Sequence, residues 1–374
     1  MSPHVPIRLI LVGGGHAHVG VLRRLAGRSG DRCQIEVVTP DAELVYSGML
    51  PGWIAGHYAR AQTTLSIEAR TRRLGAFRYP DTMVALDPDA RTLTLSSGRT
   101  LTYDMLSLDT GGAPVDTTID ALDRTVVPAK PVDTLMSSLA RFERRHRDAA
   151  NPCRVAVVGG GVGGVELMLS LVHRWALWPT PPAFRLVTGT SGLLPDVAVS
   201  ARQRLRRALQ HAGVILDEGA RMTARPPGQL VLDDGRDRAA DLVVAATGAR
   251  APDWARASGL AVDARGFIAV DWTLQSISHP GVFAAGDLAA LPAPRPKSGV
   301  FAVREAPVLA DNLVRATQGQ PLRVFSAQRR SLALVSLGDR RAIAIRGRWS
   351  LPASRYMWHV KDAIDRRFVR TGVG

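Results

Sequence analysis

The feature that most limits how this chain can fold is a module written twice. LTLSSGRTLTYDMLSLDTGGAP (93–114) aligns without gaps on LVLDDGRDRAADLVVAATGARA (230–251). Gly98 falls on Gly235, Arg99 on Arg236, Asp104 on Asp241, and Thr110–Gly111 on Thr247–Gly248. In each copy a glycine turn joins two short strands, and a mostly apolar strand then runs to Thr-Gly. A strand, a glycine loop and a helix precede each copy, as IRLILVGGGHAHVGVLRRL from Ile7 and RVAVVGGGVGGVELMLSLV from Arg154. Repeated in the same order, these pieces predict an α/β chain with two Rossmann-like sheets.

The glycine loops carry the first chemical signal. In a strand–GxGxxG–helix unit the first glycine permits the tight turn and the second lets backbone approach a pyrophosphate. The third lets helix and strand pack closely, and the helix N-terminus offers unpaired N–H groups and a positive dipole end. The second loop meets this in full with Gly159, Gly161 and Gly164, and Val162 and Gly163 between them. The first keeps Gly13 and Gly15 but has His18 in third place. A β-carbon there is expected to push helix and strand apart, or the ring to line the cofactor pocket. His16 and His18 have the spacing of a metal pair, but no Cys or carboxylate stands near them in the sequence, so no metal is assigned. The acid that usually ends the second strand and holds ribose hydroxyls is missing from both halves. Thr39 stands there in the first, with Asp41 two residues on, and Thr188 in the second. NADH and NADPH therefore stay open.

Further along, HPGVFAAGDLAAL (279–291) reads as a strand ending in Gly-Asp, and 297–318 as a helix entered through Ser298–Gly299. The stretch 136–150 is expected to be helical, its charges a solvated face. From Pro321, SLALVSLG and RAIAIRG read as strands, followed by a helix over 356–369. Its apolar stripe is expected at Met357, Val360, Ile364 and Phe368, among Lys361, Arg366, Arg367 and Arg370.

The 374 residues suffice for two domains and a smaller third piece, and 46% hydrophobic with 22% charged residues is a soluble globular composition. The run 155–172 approaches a membrane span in length, but its five glycines and Glu166 favour a strand, loop and helix. The N-terminus shows no leader pattern, so a cytoplasmic chain is expected. Cys33 and Cys153 are far apart and form no CxxC pair, which fits a reducing compartment and argues against dithiol chemistry. The net charge of +15 permits an anionic partner, but the bias to Arg over the three Lys also fits coding bias. No nucleic-acid motif supports the first reading, and nucleic acid is not expected.

Together these residues resemble the two-dinucleotide-binding-domain flavoproteins, the superfamily of glutathione reductase and type II NADH dehydrogenase. GVFAAGDLAAL carries the strongest likeness, and VYSGMLPGWIAGHY (45–58) is similar to the segment that passes close to the isoalloxazine. GGGHAHV, YSGMLPG, PRPKSGVFAVREAP and LVSLGDRRAIA…IDRRF resemble one subfamily of pyridine nucleotide-disulfide oxidoreductase family proteins, some fused to selenophosphate synthetase. The resemblance implies a glutathione-reductase-type fold. Its FAD-binding domain spans 1–115 and 268–320, its NAD(P)H-binding domain 116–267 is inserted there, and 321–374 form a small α+β piece.

The same resemblance implies FAD contacts at Gly13, Gly15, His16, Thr39, Ser47, Gly48, Met49, Val84, Thr110, Gly111, Gly286, Asp287, Lys297 and Ala302. NAD(P)H contacts fall at Gly159, Gly161, Val162, Gly163, Gly164, Glu166, Thr188, Thr247 and Gly248. The candidate catalytic groups are Glu166, expected beside the nicotinamide, Lys297, expected to add charge near the flavin, and Glu305. Arg304 and Glu305 replace the two glutamines that usually line a quinone pocket in type II dehydrogenases. With no cysteine pair beside the flavin, electrons must leave for an external acceptor, a quinone or similar molecule. The alternatives are a soluble reductase with a protein or selenium/sulfur-linked acceptor, and a nucleotide-sensing or nucleic-acid-binding flavoprotein of apoptosis-inducing-factor type. From Pro321 onward, eleven Arg and one Lys face three Asp. This basic end, with Trp349 and Trp358, suits an anionic membrane surface, or equally packing on the FAD domain or a homodimer contact.

Overall fold

The computed structural model describes residues 6–26, 33–114, 126–224, 228–293, 297, 299–326 and 332–371. Ser298 lies outside them.

The duplication read from the sequence is repeated in space. The first parallel sheet runs, edge to edge, Val282–Ala284, Met105–Leu108, Ile7–Val12, Cys33–Val38 and Phe77–Tyr79. The second runs Val126–Pro128, Leu242–Ala245, Arg154–Val158, Ala183–Val187 and Ile215–Asp217. The strands are short apolar runs because helices and meanders cover both faces of such sheets. The edge strand 126–128 precedes its glycine loop, whereas its counterpart 282–284 follows the whole second module. The first sheet is therefore complete only after the chain has returned from the second, which makes the NAD(P)-type module an insertion in the FAD-type one.

Each module carries a three-stranded antiparallel meander, Met83–Asp87 with Thr92–Leu95 and Thr100–Thr102, and Met222–Ala224 with Gln229–Leu232 and Asp237–Ala239. The turn glycines of the repeat match in backbone angle, Gly98 at φ 83° and Gly235 at φ 80°. The two Thr-Gly exits then meet: Ala113–Pro114 pairs antiparallel with Ala249–Arg250.

The helix expected over 136–150 spans Val132–His146, burying Leu135, Ser138, Leu139 and Phe142. The helix expected from 297 spans Gly299–Thr317 and the last one Arg355–Thr371. The C-terminal strands are Leu332–Ser336, Ala342–Arg346 and Trp349–Ser350. This piece bridges both modules. Val335, Leu337, Ile343 and Ile345 join the core of the second, while Ala342, Trp358 and Phe368 join that of the first.

The stripe expected on the last helix needs correction. The buried residues are Trp358, Asp365 and Phe368, whereas Ile364 is exposed. Phe368 is buried as expected and Met357 packs on the core, but the packed face also takes in Trp358 and the Asp365 carboxylate, because it meets polar groups of the site as well as core.

Candidate functional site

Both glycine loops have the shape a dinucleotide requires. Gly13 (φ 96°) and Gly159 (φ 141°) occupy backbone conformations disfavoured for side chains, and a Cβ on either would strike the backbone of the neighbouring strand exit at 2.3 and 2.4 Å. In the second loop a Cβ at Gly164 would lie 2.0 Å from Gly159 O, while one at Gly161 or Gly163 would meet nothing within 4 Å. Helix and strand are thus in contact on one side and the loop is open on the other, where a pyrophosphate fits. Thr188 fits as well. Its Oγ1 is buried beside the loop without a hydrogen-bond partner among the described residues, at the strand end that in dinucleotide-binding folds ordinarily faces the ribose. Arg221 comes to the same strand end from another element, its Nη2 donating to Thr190 Oγ1 at 3.2 Å. Thr247 and Gly248 close the exit opposite the loop.

The first loop differs through His18. The expectation that its ring lines the cofactor pocket is corrected here. The side chain is only 1% exposed, and its two nitrogens lie 2.7 Å from Gly13 O and 2.9 Å from Ser107 Oγ. A carbonyl can only accept, so Nδ1 carries the proton and Nε2 accepts from the Ser107 hydroxyl. Burial pushes the ring down to about 4, which keeps it neutral. Ser107 matches Val244 in the repeat, so His18–Ser107 replaces the Gly164–Val244 pair of the other module. The sequence signal was the pair of departures from the repeat.

His16 turns elsewhere, its Nε2 lying 3.2 Å from Ser47 Oγ, and burial holds it too at about 4. It begins a cluster. Tyr46 lies 5.5 Å from the His16 ring and 4.4 Å from Phe368, ring centre to ring centre. A Cβ on Gly299 would meet Ser47 Oγ at 3.0 Å and His16 at 3.4 Å, so the 19-residue helix 299–317 starts against Ser47–Gly48–Met49. Lys361 closes the cluster from the last helix, donating to Gly48 O and, at 2.6 Å, to Asp365. Asp365 also accepts from Tyr46, and burial raises its carboxyl. Sequence reading missed Lys361 and Asp365 as site residues, because only the fold brings them to Gly48.

Glu166 is not a helix-surface carboxylate. Its Oε1 accepts the Ser336 N–H at 2.7 Å, and burial pushes it up to about 7, against the opposing charge of Lys361. Glu305 is 2% exposed and accepts the Gly286 N–H at 2.6 Å, which fixes the Gly-Asp turn; burial and then Asp109 raise it to about 7. Lys297 donates to Ala289 O and lies 4.0 Å from the Phe267 ring centre, and burial lowers its ammonium. Asp287 follows Gly286 in a short 3-10 turn, and Ala302 is buried one turn into helix 299–317. Val84 is exposed, at a bulge between Met83 and Ala85 that frees its backbone from the meander ladder. Thr39 is buried at the end of its strand, and Thr110 and Gly111 lie at the exit facing the first loop.

The two cysteines form no disulfide and sit at the wrong ends of their strands. Cys33 starts strand 33–38, level with Ile7, and Cys153 precedes strand 154–158. The glycine loops leave the opposite ends, roughly 15 Å away at about 3.3 Å per residue. Among the described residues no cluster of His, Cys, Asp or Glu could hold a metal ion.

Residues 7–306 match the pyridine nucleotide-disulphide oxidoreductase family. The chain belongs to that family. FAD and NAD(P)H are accordingly the nucleotides it binds. A NADH dehydrogenase-like protein of Mycobacterium tuberculosis is 31% identical over 218 residues, 56% of this chain and 54% of that protein. The type II NADH:quinone oxidoreductase of Haemophilus influenzae is 28% identical over 203 residues, 50% of this chain and 46% of its own. The chain thus matches about half the length of these relatives. The fold extends further: the sulfide:quinone oxidoreductase of Aquifex aeolicus superposes with a TM-score of 0.82 at 15% identity, covering 98% of this chain and 92% of the other.

Proposed function

We infer that this oxidoreductase takes hydride from NAD(P)H docked on the second glycine loop and delivers electrons to a quinone or similar small acceptor without a redox disulfide. The observation that carries this reading is the wall around Ser47–Met49. It is built from His16, Tyr46, Phe368, Lys361 and Asp365, while both cysteines lie at the opposite strand ends from the glycine loops. A flavin held there would supply the chemistry of hydride acceptance and of one- or two-electron transfer. The chain's own residues place and charge the site. Gly159, Gly161 and Gly164 seat the nucleotide, Glu305 holds the Gly-Asp turn, and the start of helix 299–317 offers its positive end to negative charge developing beside Ser47. Glu166, raised by burial to about 7, can hold a proton for an acceptor that takes it up with its electrons, and Asp365 keeps Lys361 in place at Gly48.

Among the described residues no helix is long and apolar enough to cross a membrane. A peripheral contact is supported by exposed Trp349, Leu351, Tyr356 and Ile364, with Arg348 and Arg355 beside them. Steady-state turnover with NADH and NADPH against a panel of quinones tests the reading. Turnover with soluble proteins or oxygen alone, and none with any quinone, overturns it.

A further inference from the structure

The two modules differ at one buried group that the mechanism above leaves unused. Strand 105–108 runs into Asp109, where the repeat places Ala246 in the second copy. Asp109 is 2% exposed, and its Oδ2 accepts the backbone N–H of His18 at 3.0 Å, with the Ala17 N–H also directed at the carboxylate. These donors belong to the first turn of helix 16–25, where unpaired N–H groups and the dipole attract an anion. Gly15 belongs to the same arrangement. A Cβ there would stand 2.3 Å from Asp109 Cγ, whereas one at the matching Gly161 would meet nothing within 4 Å. On its other side Asp109 faces Gly286, where a Cβ would lie 2.5 Å from Oδ1. The carboxylate thus lies between the glycine loop and the Gly-Asp turn, the two pieces that flank the flavin dinucleotide's phosphates.

The charges around it do little to neutralise it. His18 and His16, from the loop helix, are neutral. Asp287, from the turn, and Glu305, from helix 299–317, are carboxyl groups that disfavour ionisation of Asp109. Lys297 is the nearby cation, and its ammonium is taken up by Ala289 O and the Phe267 ring. Burial first, and then Asp287, push Asp109 up to about 7. A pyrophosphate brings two more negative charges to the same helix end.

We propose that Asp109 is a proton-linked gate on the flavin site, neutral whenever the FAD pyrophosphate is seated, so that FAD docking takes up one proton from solvent at this carboxyl. The proposal rests on the placement of FAD in the first module. It makes Asp109 a positioning residue whose state sets how firmly the cofactor is held.

FAD affinity of the full chain, stripped of flavin, is measured by quenching of flavin fluorescence from pH 6 to 9. Titration calorimetry in two buffers of different ionisation enthalpy counts the protons taken up. The wild-type dissociation constant should rise about tenfold per pH unit above the midpoint, with close to one proton bound per FAD at high pH. Asp109→Asn, and Asp109→Ala as in the second module, should bind FAD with no pH slope and more tightly than wild type at pH 8.5. Binding by wild type with no proton uptake, or an unchanged slope in D109N, overturns the proposal. A wild-type proton count near zero overturns the proposal even if the variants fail to fold. Failure of wild type to bind FAD at any pH overturns the placement of FAD along with it.

Discussion

Restoring the missing glycine of the first loop should weaken the protein, although glycine is what that position in the motif ordinarily holds. In His18→Gly two buried groups lose their partners, Gly13 O and Ser107 Oγ. Each orphaned group costs about 1–3 kcal/mol, and glycine in a helix adds up to about 1 kcal/mol. The Asp109 contact survives, because it is made by the backbone N–H of residue 18. A loss on the order of 4 kcal/mol should lower the melting temperature of the first module by roughly 8–16 °C, at about 2–4 °C per kcal/mol for a unit of this size. Ser107→Val alone should also destabilise, by leaving His18 Nε2 without a donor. Combined with His18→Gly it rebuilds the pair found in the second module, and the double variant should be more stable than His18→Gly alone by about 1–3 kcal/mol. Differential scanning calorimetry, with hydrogen exchange of the amides in 16–25, reads both effects. A His18→Gly protein that melts within a degree of wild type, or two substitutions that simply add, would refute the account.

Glu166→Gln should remove an inflection near pH 7 from the turnover profile. In wild type the rate should fall as the pH rises through about 7 and Glu166 loses the proton it supplies. Burial raises this carboxyl, so the folded state holds an extra proton between about pH 4.5 and 7, and stability falls with rising pH across that window. E166Q should flatten that share of the slope in urea titrations, and an unchanged slope would contradict it. Arg221→Ala should lower kcat/KM for NADPH by about tenfold or more while changing that for NADH less, because the guanidinium stands at the strand end beside Thr190. Equal losses with both nucleotides would deny it a role at the 2′-phosphate. The chain should float with anionic vesicles and not with neutral ones, and Trp349→Ser with Ile364→Ser should release it; flotation unaffected by both changes would place the contact elsewhere.

Much of this fold was legible in the chain because it is written twice. The gap-free alignment of 93–114 on 230–251 gave the hairpins, the exit strands and the turn glycines, since each depends on local backbone chemistry. The Gly-Asp turn and the start of helix 299–317 were readable for the same reason. Asp109 and Ser107 could have been noticed as departures from the repeat, but their meaning depends on His18 lying across the strand from them. Lys361 and Asp365 were beyond sequence reading. Their place at Gly48 depends on how the C-terminal helix bridges two cores, and no periodicity encodes that. The same docking buries Trp358 and Asp365 beside Phe368 and leaves Ile364 of the hydrophobic stripe exposed.

The central claim is that NAD(P)H reduces a flavin in this chain with no part played by sulfur. Anaerobic titration of the FAD-loaded protein, followed by flavin absorbance, tests it most directly, in wild type and in Cys33→Ser/Cys153→Ser. The account predicts bleaching complete at about one equivalent of the preferred nucleotide, identical in the cysteine-free protein. Absence of bleaching with either nucleotide, or its loss when the two cysteines are replaced, would contradict it.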